Sequence, residues 1–542
     1  MKNLENLFSQ LPFATVEQKE NIYNLTVPKE NLYEVASFLR KNGFDYLRDI
    51  VGMDYGDTLG VIYSLSSVEN PEIILSLKTT TSDKEAPKFD SVIDLWDSAD
   101  LYEREAHDFF GICFENNPDM RRLFLRQDWR GFPLRKDYDA SPEINPVPFE
   151  NENLAEMETL PAIDVMNADD KFEKHHTVFE KGEYVVNFGP QHPATHGVLH
   201  LRVSLDGEVI KHIDPNFGYI HRGIEKMSEA YTYPQILHLT DRLDYLSGTM
   251  NRHAVCLAVE KGLQLEVPER AHYIRTIIDE LTRIASHLLG WGAMCMDMGS
   301  ITAFVYGMRD REKIMDIFEE TCGGRLMANY GVIGGVMADI HPNFQKRVKE
   351  FIPYMRKMLK EYHLLFTGNP IARGRMDGIG YLSREKAISL GATGPVGRAS
   401  GWSNDTRKIE PYAAYAKADF KEMLRTGGLT FDRYIIRLNE VEESLKILEQ
   451  LIDNIPEGDY AAKTKAIIKL PEGEYFQRVE GARGEFCVYI NSRGDKYPYR
   501  IKFRSPSMTL VNVLKAIVPG TKIADLIMLG GSLDYVIPCI DR

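Results

Sequence analysis

Two segments of the chain concentrate groups that move protons. The first, NFGPQHPATHGVL at residues 187–199, places the imidazoles of His192 and His196 within five residues, fenced by Gly189, Pro190, Pro193 and Gly197. Glycine and proline fix backbone geometry, so the rings are expected on a shaped loop. The second, DRLDYLSGTMN at residues 241–251, offers a cation (Arg242), two carboxylates (Asp241 and Asp244) and a phenol (Tyr245). Imidazole and phenol are well suited to hand protons to a carbonyl oxygen that is gaining electrons. A buried polar turn with a structural phenol would use the same residues, and the pattern leaves both readings open.

Other clusters carry less. ERE-AHD-FFG at residues 103–111 stacks charge before an aromatic pair, with Arg121, Arg122 and PLRKDY (133–138) following. Glu103, Arg104, Glu105 and Asp108 sit at helical spacing for ion pairs, and no nucleophile or ligand set accompanies them, which favours a structural or interface role. HRGIEK (221–226) sets Arg222 and Glu225 three apart, as a helix-face pair would be. Asp297, in CMDMGSITAF, is a carboxylate among apolar residues; buried, it needs a partner, and an imidazole is the natural one. No GxxxxGK[ST] occurs and no GxGxxG follows a strand, so the sequence shows no nucleotide site; GATGPVG (391–397) reads as a glycine-rich turn.

The elements that must position these groups fall into two parts. At residues 139–170 lie nine acidic residues, no Lys or Arg, and prolines at 142, 146, 148 and 161. Such a segment buries too little apolar surface to fold alone and reads as a tether. Before it, a helix is expected at 32–41, paired strands at 61–65 and 71–78, and a second helix at 91–110, giving a small α/β domain. After it, Leu199, Leu201, Val203 and Leu205 alternate into Asp206-Gly207, a strong hairpin signal. Long helices follow. One starts near Pro268 with an apolar face of Ile274, Ile277, Ile278, Leu281, Ile284 and Leu288, one ends at Gly323-Gly324, and one carries Val441, Leu445, Leu448 and Leu451. Residues 486–491 and 497–503 flank a turn as a hairpin. The expected class is α+β: a small α/β domain at 1–138, an acidic linker at 139–184, and a mainly helical domain with small edge sheets at 185–542.

A net charge of −14 argues against nucleic acid as the main partner. Cysteines at 113, 256, 295, 322, 487 and 539 form no CxxC pair, as in a reduced compartment. Residues 1–20 lack a signal-peptide pattern and no apolar run approaches a bilayer span, so membrane association is expected through partner proteins.

At this point a resemblance becomes specific. ERE-AHD-FFGICF with RRLFLRQDWRGFPLRKDY is similar to the C subunit of the bacterial proton-pumping NADH:quinone oxidoreductase, respiratory complex I. GPQHPATHGVL, HRGIEK, DRLDYLSG, GATGPVGRASG with NDTRK, and GGSLDYVIPCIDR resemble its D subunit, in order, so the chain looks like a C/D fusion. The D subunit is in turn similar to the large subunit of nickel–iron hydrogenases, which hold metal with two CxxC motifs. Here those positions fall on Asp244 and Ser247, and on Val536 and Cys539. One thiol cannot build a four-thiolate site, so the resemblance implies no metal here and a cavity open to another ligand.

In the family that ligand is the quinone headgroup. Carried across, His196 and Tyr245 would hydrogen-bond its carbonyl oxygens, Asp297 would partner His196, and Arg222 and Arg242 would lie near the terminal iron–sulfur cluster of a neighbouring subunit. The resemblance further implies a peripheral subunit on the cytoplasmic side of the bacterial inner membrane, active only in the complex. It would bind no cofactor alone, with FMN and the iron–sulfur clusters in partner subunits and a membrane-arm subunit at the quinone entrance. Quinone is the substrate, ubiquinone or menaquinone, with menaquinone favoured. A non-catalytic scaffold and a ferredoxin-fed relative are the alternatives; a hydrogen-evolving enzyme would require nickel. Three positions depart from the pattern: Met327 in GGRLMANY where many relatives carry a titrating histidine, His200 where GVLR would have arginine, and Asn117 in place of the histidine of NHPD.

Overall fold

The computed structural model describes residues 4–19, 21–141, 163–166, 172–175, 184–190 and 197–542. His192 and His196 lie outside the described residues, as does most of the acidic segment. The chain divides into two compact units, the first made of residues 1–190, 200–221 and 389–391, the second of 191–199, 222–388 and 392–542.

The first unit is built on a five-stranded mixed sheet. Its strands are β1 (Thr15–Lys19), β2 (Ile22–Thr26), β3 (Tyr46–Asp54), β4 (Leu59–Ser66) and β5 (Ile74–Thr81), in the order β1-β2-β5-β4-β3. Only β2 and β5 run parallel. Helix α1 (Leu32–Lys41) buries Leu32, Val35, Ala36 and Leu39, one face at 3.6-residue spacing.

Helix α2 spans Ala99–Phe110, starting eight residues later than the sequence pattern suggests. The reason is tertiary: Glu103 accepts from the Val92 amide at 2.9 Å and the Ser91 hydroxyl at 2.7 Å, holding that stretch as a turn. Asn117, whose substitution had no evident consequence in the sequence, donates its amide to the same carboxylate at 2.8 Å. Burial still pushes the Glu103 carboxyl up to about 7. Asp108 accepts three backbone amides, from Leu123, Phe124 and Leu125, at 2.8 to 3.1 Å. The charged run thus ties the RRLFL loop to its helix. Phe110 packs closely on β3 because Gly52 has no side chain; a Cβ there would stand 2.5 Å from the ring.

A three-stranded antiparallel sheet belongs to this same unit: β6 (Tyr184–Phe188), β7 (His200–Asp206) and β8 (Val209–Asn216). The hairpin expected at Asp206-Gly207 is present one residue later: Asp206 still pairs with Val209, and Gly207 (φ +61°) and Glu208 form the turn joining β7 to β8. Arg121 grips Asp214 through both terminal nitrogens, at 3.1 and 2.9 Å, and His221 stacks on Phe109 and Phe124 with centroids 5.3 and 5.6 Å away. At Gly218 (φ +96°) a Cβ would fall 2.0 Å from the Phe124 carbonyl oxygen, so only glycine permits this approach. His200 contacts Asn187 Oδ1 at 3.2 Å and the Tyr219 hydroxyl at 3.3 Å.

The second unit is mainly helical. Its frame is α3 (Gly248–Leu263), α4 (Glu269–Asp297), α5 (Ile301–Cys322), α6 (Phe344–Tyr362) and α7 (Thr430–Leu451). The apolar face read along α4 is buried throughout. α5 ends at Gly323, at φ +77°, where a left-handed residue closes the helix. An edge sheet of β9 (Gly473–Gly481), β10 (Gly484–Ser492) and β11 (Arg500–Arg504) packs beside them, followed by α8 (Leu526–Leu533). No helix among the described residues is long and apolar enough to cross a membrane.

Candidate functional site

The DRLDY segment forms a tight turn between the helix Tyr233–Thr240 and α3, and buried ion pairs fix both its ends. Asp241 accepts from Arg252 at 3.1 Å, while burial pushes its carboxyl up to about 6. Asp244 is held by Arg483, whose Nη1 lies 3.2 and 3.0 Å from the two carboxylate oxygens. The same nitrogen donates to Ser286 Oγ at 2.9 Å, and Nη2 donates to Asp534 Oδ1 at 3.2 Å. Arg437 stands 3.8 Å from the other oxygen of Asp534. All four charged groups are buried.

Arg483 sits in the two-residue turn joining β9 to β10. The glycine-rich segment packs onto that turn: a Cβ at Gly394 (φ +71°) would lie 2.4 Å from the Arg483 carbonyl oxygen. One at Gly484 (φ +134°) would lie 2.5 Å from Thr393 Oγ1, which accepts the Glu485 amide at 3.0 Å. These glycines let backbone meet backbone and so set where the guanidinium points.

Asp244 and Ser247, the positions of one thiolate pair in the hydrogenase resemblance, both face this guanidinium, Ser247 Oγ at 3.5 Å. Cys539 takes a hydrogen bond from Ser505 at 2.8 Å, and burial pushes its thiol up to about 12. A protonated thiol and an arginine already bound to two carboxylates make a poor metal cradle. Among the described residues no group of three or more His, Cys, Asp or Glu is placed to hold a metal ion.

With its turn so fixed, Tyr245 presents a half-buried phenol. Its hydroxyl has no hydrogen-bond partner among the described residues. Burial raises its proton affinity, with Asp244 and Asp534 adding to the rise and Arg483 and Arg311 opposing it. Tyr245 borders a small cavity with Thr249, Ser286, Arg311, Met315 and Phe318, about 20 Å³ in volume.

Asp297 is the last residue of α4. Burial pushes its carboxyl up to about 6, and Oδ2 is buried with no hydrogen-bond partner among the described residues. The same oxygen lies 3.1 Å from where a Cβ on Gly531 would stand. α8 therefore touches Asp297 at Gly531, and Asp534 just beyond it reaches Arg483 and the Tyr245 turn. One short segment connects the two candidate groups.

Of the other candidates, Arg242 is half-buried and donates to the His238 carbonyl at 2.8 Å. Arg222 is exposed, with no hydrogen bond or ion pair among the described residues. Nothing described joins either arginine to Tyr245. Sequence reasoning missed Arg483, Arg311 and the role of Asp534. The terminal motif GGSLDYVIPCIDR marked only the last of these.

Comparison with known proteins bears on this geometry directly. The profile of the respiratory-chain NADH dehydrogenase 49 Kd subunit matches residues 297–469 and 463–542, and that of the 30 Kd subunit matches 25–143. The chain is 56% identical over 520 residues to the C/D subunit of the NADH-quinone oxidoreductase of Phocaeicola vulgatus, covering 96% of this chain and 99% of the relative. It belongs to the NADH-quinone oxidoreductase C/D subunit family. The C/D subunit of Bacteroides thetaiotaomicron is 55% identical, covering 94% of this chain and 97% of the relative. The separate D subunit of the Desulforamulus reducens enzyme is 46% identical over 359 residues, covering 66% of this chain and 98% of the relative. The C/D chain is thus part of an enzyme of the complex I class, with the α+β fold read from its sequence.

Proposed function

We propose that this C/D chain supplies the protein groups that bind and protonate the quinone headgroup, within a peripheral arm that passes electrons to quinone and couples the reaction to proton translocation. One observation carries the reading: Tyr245 is half-buried, its turn is locked by Asp244–Arg483–Asp534, and its hydroxyl is left without a partner among the described residues. A phenol placed in advance donates to an oxygen that gains charge without reorganising, which is the efficient arrangement for such a step. His196 is proposed as the second donor and Asp297, with its unpaired buried oxygen, as the partner of that imidazole. Tyr245→Phe in the purified complex is the test. A scaffold role predicts unchanged quinone reduction; a site role predicts normal assembly with most of it lost.

Asp297 gives the site an expected pH dependence. The carboxyl is held near 6, and it pairs with an imidazolium only when ionised. Quinone reduction is therefore expected to fall on the acid side, at or below about pH 6, since an imidazolium partner draws the carboxyl down from the value burial alone sets. Asp297→Asn should lower the rate at pH 7.5 and flatten that acid limb, and a limb unchanged in the variant would assign it to another group.

Arg222 and Arg242 are proposed to face the partner subunit that holds the terminal iron–sulfur cluster; the exposure of Arg222 and its lack of partners among the described residues support this. The quinone is proposed to be menaquinone, and the enzyme to lie peripherally on the cytoplasmic side of the inner membrane, against a membrane-arm subunit. The residue at 327, half-buried before Asn329, is a methionine and cannot titrate. A redox titration of that cluster between pH 6 and 8 is expected to show a potential nearly independent of pH. A slope of one proton per electron would contradict it. As domains we propose a C-like part at 1–138, a linker at 139–184 and a D-like part at 185–542.

A further inference from the structure

Arg311, on α5, is 9% exposed, and its Nε is buried without a hydrogen-bond partner. No carboxylate among the described residues lies within ion-pair distance of it. An arginine so buried is ordinarily paired, because removing an unanswered charge from water is costly. The neighbouring Glu312 is engaged by Arg325, at 2.5 Å. Arg311 instead borders the same small cavity as Tyr245. That space, about 20 Å³, holds about one water, and Tyr245 and Arg311 both line it.

The charges around Tyr245 sharpen the contrast. Asp244 comes from its own turn, Arg483 from the β9–β10 turn, Asp534 from the end of α8, and Arg311 from α5. Arg483 is already neutralised by two carboxylates, and Arg437 faces the second of them. Of the cations around Tyr245, Arg311 is the one with no ion-pair partner among the described residues.

We propose that Arg311 is a positioning residue for proton donation: its guanidinium stabilises the Tyr245 phenolate left when the phenol gives its proton to reduced quinone. This rests on the reading of Tyr245 as the donor. In the step, the Tyr245 O–H bond breaks and an O–H bond forms on a quinone carbonyl oxygen. That oxygen is made basic by electrons from the partner subunit's iron–sulfur cluster, and one negative charge stays on the phenolate. Burial, Asp244 and Asp534 make that phenolate costly; Arg483 and then Arg311 oppose them, and of the two only Arg311 has no carboxylate of its own to answer. The arginine thus lowers the cost of ionising a half-buried phenol without opening it further to solvent.

The test uses the purified complex, with turnover of a short-chain quinone read against the amount of C/D chain present. Arg311→Met is expected to turn over about tenfold more slowly, with KM within about twofold and a larger solvent deuterium isotope effect, because proton transfer becomes limiting. Arg311→Lys keeps a cation and should recover most of the rate. A fluorinated tyrosine at position 245 in the Arg311→Met background makes the phenol more acidic by chemistry alone and should also restore turnover. Absence of that rescue overturns the proposal, as does wild-type turnover in Arg311→Met, which is also the result if a partner's carboxylate neutralises Arg311 in the assembly. Arg311→Gln carries the same expectation. If neither neutral variant enters the complex, Arg311 serves the fold and the proposal is wrong. If Tyr245→Phe itself keeps wild-type turnover, the underlying reading fails instead, and the two failures are told apart.

Discussion

Tyr245→Phe is expected to lower quinone reduction by about a hundredfold or more while leaving the complex assembled. The variant removes one oxygen. The ring keeps its place because the turn is set by Asp244, Arg483 and Asp241, none of which bonds to the hydroxyl. No protein hydrogen bond of the described residues is broken, so the loss of rate has no structural explanation to hide behind. What disappears is the donor: phenylalanine cannot hydrogen-bond the carbonyl oxygen or pass it a proton. The quinone step should therefore slow, while NADH-driven reduction of a water-soluble acceptor upstream of the site stays within about twofold. Two measurements on one preparation separate the outcomes. Equal loss in both would indicate damage to the assembly, and loss in neither would leave this surface without a role in proton donation. Because burial keeps the phenol protonated well past neutrality, the wild-type rate should also show no loss from Tyr245 ionisation between pH 7 and 9.

The candidate site was legible where chemistry is carried by residue type within a short segment, and illegible where it depends on folding distant segments together. Tyr245 and Asp297 could be singled out because a phenol beside two carboxylates, and a carboxylate in an apolar run, are unusual locally. Arg483 could not. Its partner Asp244 lies 239 positions away and Asp534 lies 51 away, and the β9–β10 turn that carries it is ordinary in composition. Arg311 sits in a helix rich in charge, where nothing in the sequence tells a buried arginine from a solvated one. The fold follows the same rule. The helix Leu32–Lys41 and the turn after Asp206 follow from periodicity and a dipeptide. The start of α2 does not, because a carboxylate within the helix binds the Val92 amide and the Ser91 hydroxyl and holds that stretch as a turn. The glycine-rich segment was read only as a turn, yet Gly394 and the facing Gly484 permit the backbone approach that seats Arg483.

Arg483→Met should be the most damaging single change in the second unit, costing roughly 3–5 kcal/mol because it leaves buried carboxylates without their counter-charge. Methionine matches the length of the arginine stem, so packing is nearly preserved and the electrostatic term dominates. Asp244 would lose both of its contacts to the guanidinium, and Asp534 would retain only the more distant Arg437. Arg483→Lys should be intermediate, since one ammonium cannot bridge two carboxylates and Ser286 in the way a planar fork does. The decisive comparison is the double variant Arg483→Met with Asp244→Asn, which removes a charge from each side of the pair. If the ion pair is what matters, the double variant should be more stable than Arg483→Met alone, with a coupling of about 1 kcal/mol or more, in the range found for contacting charges. The measurement is thermal inactivation of the purified complex, together with the fraction of C/D chain retained in it. Additive effects of the two substitutions would mean that the guanidinium acts through packing, and the view of this cluster as the electrostatic anchor of the Tyr245 turn would have to be abandoned.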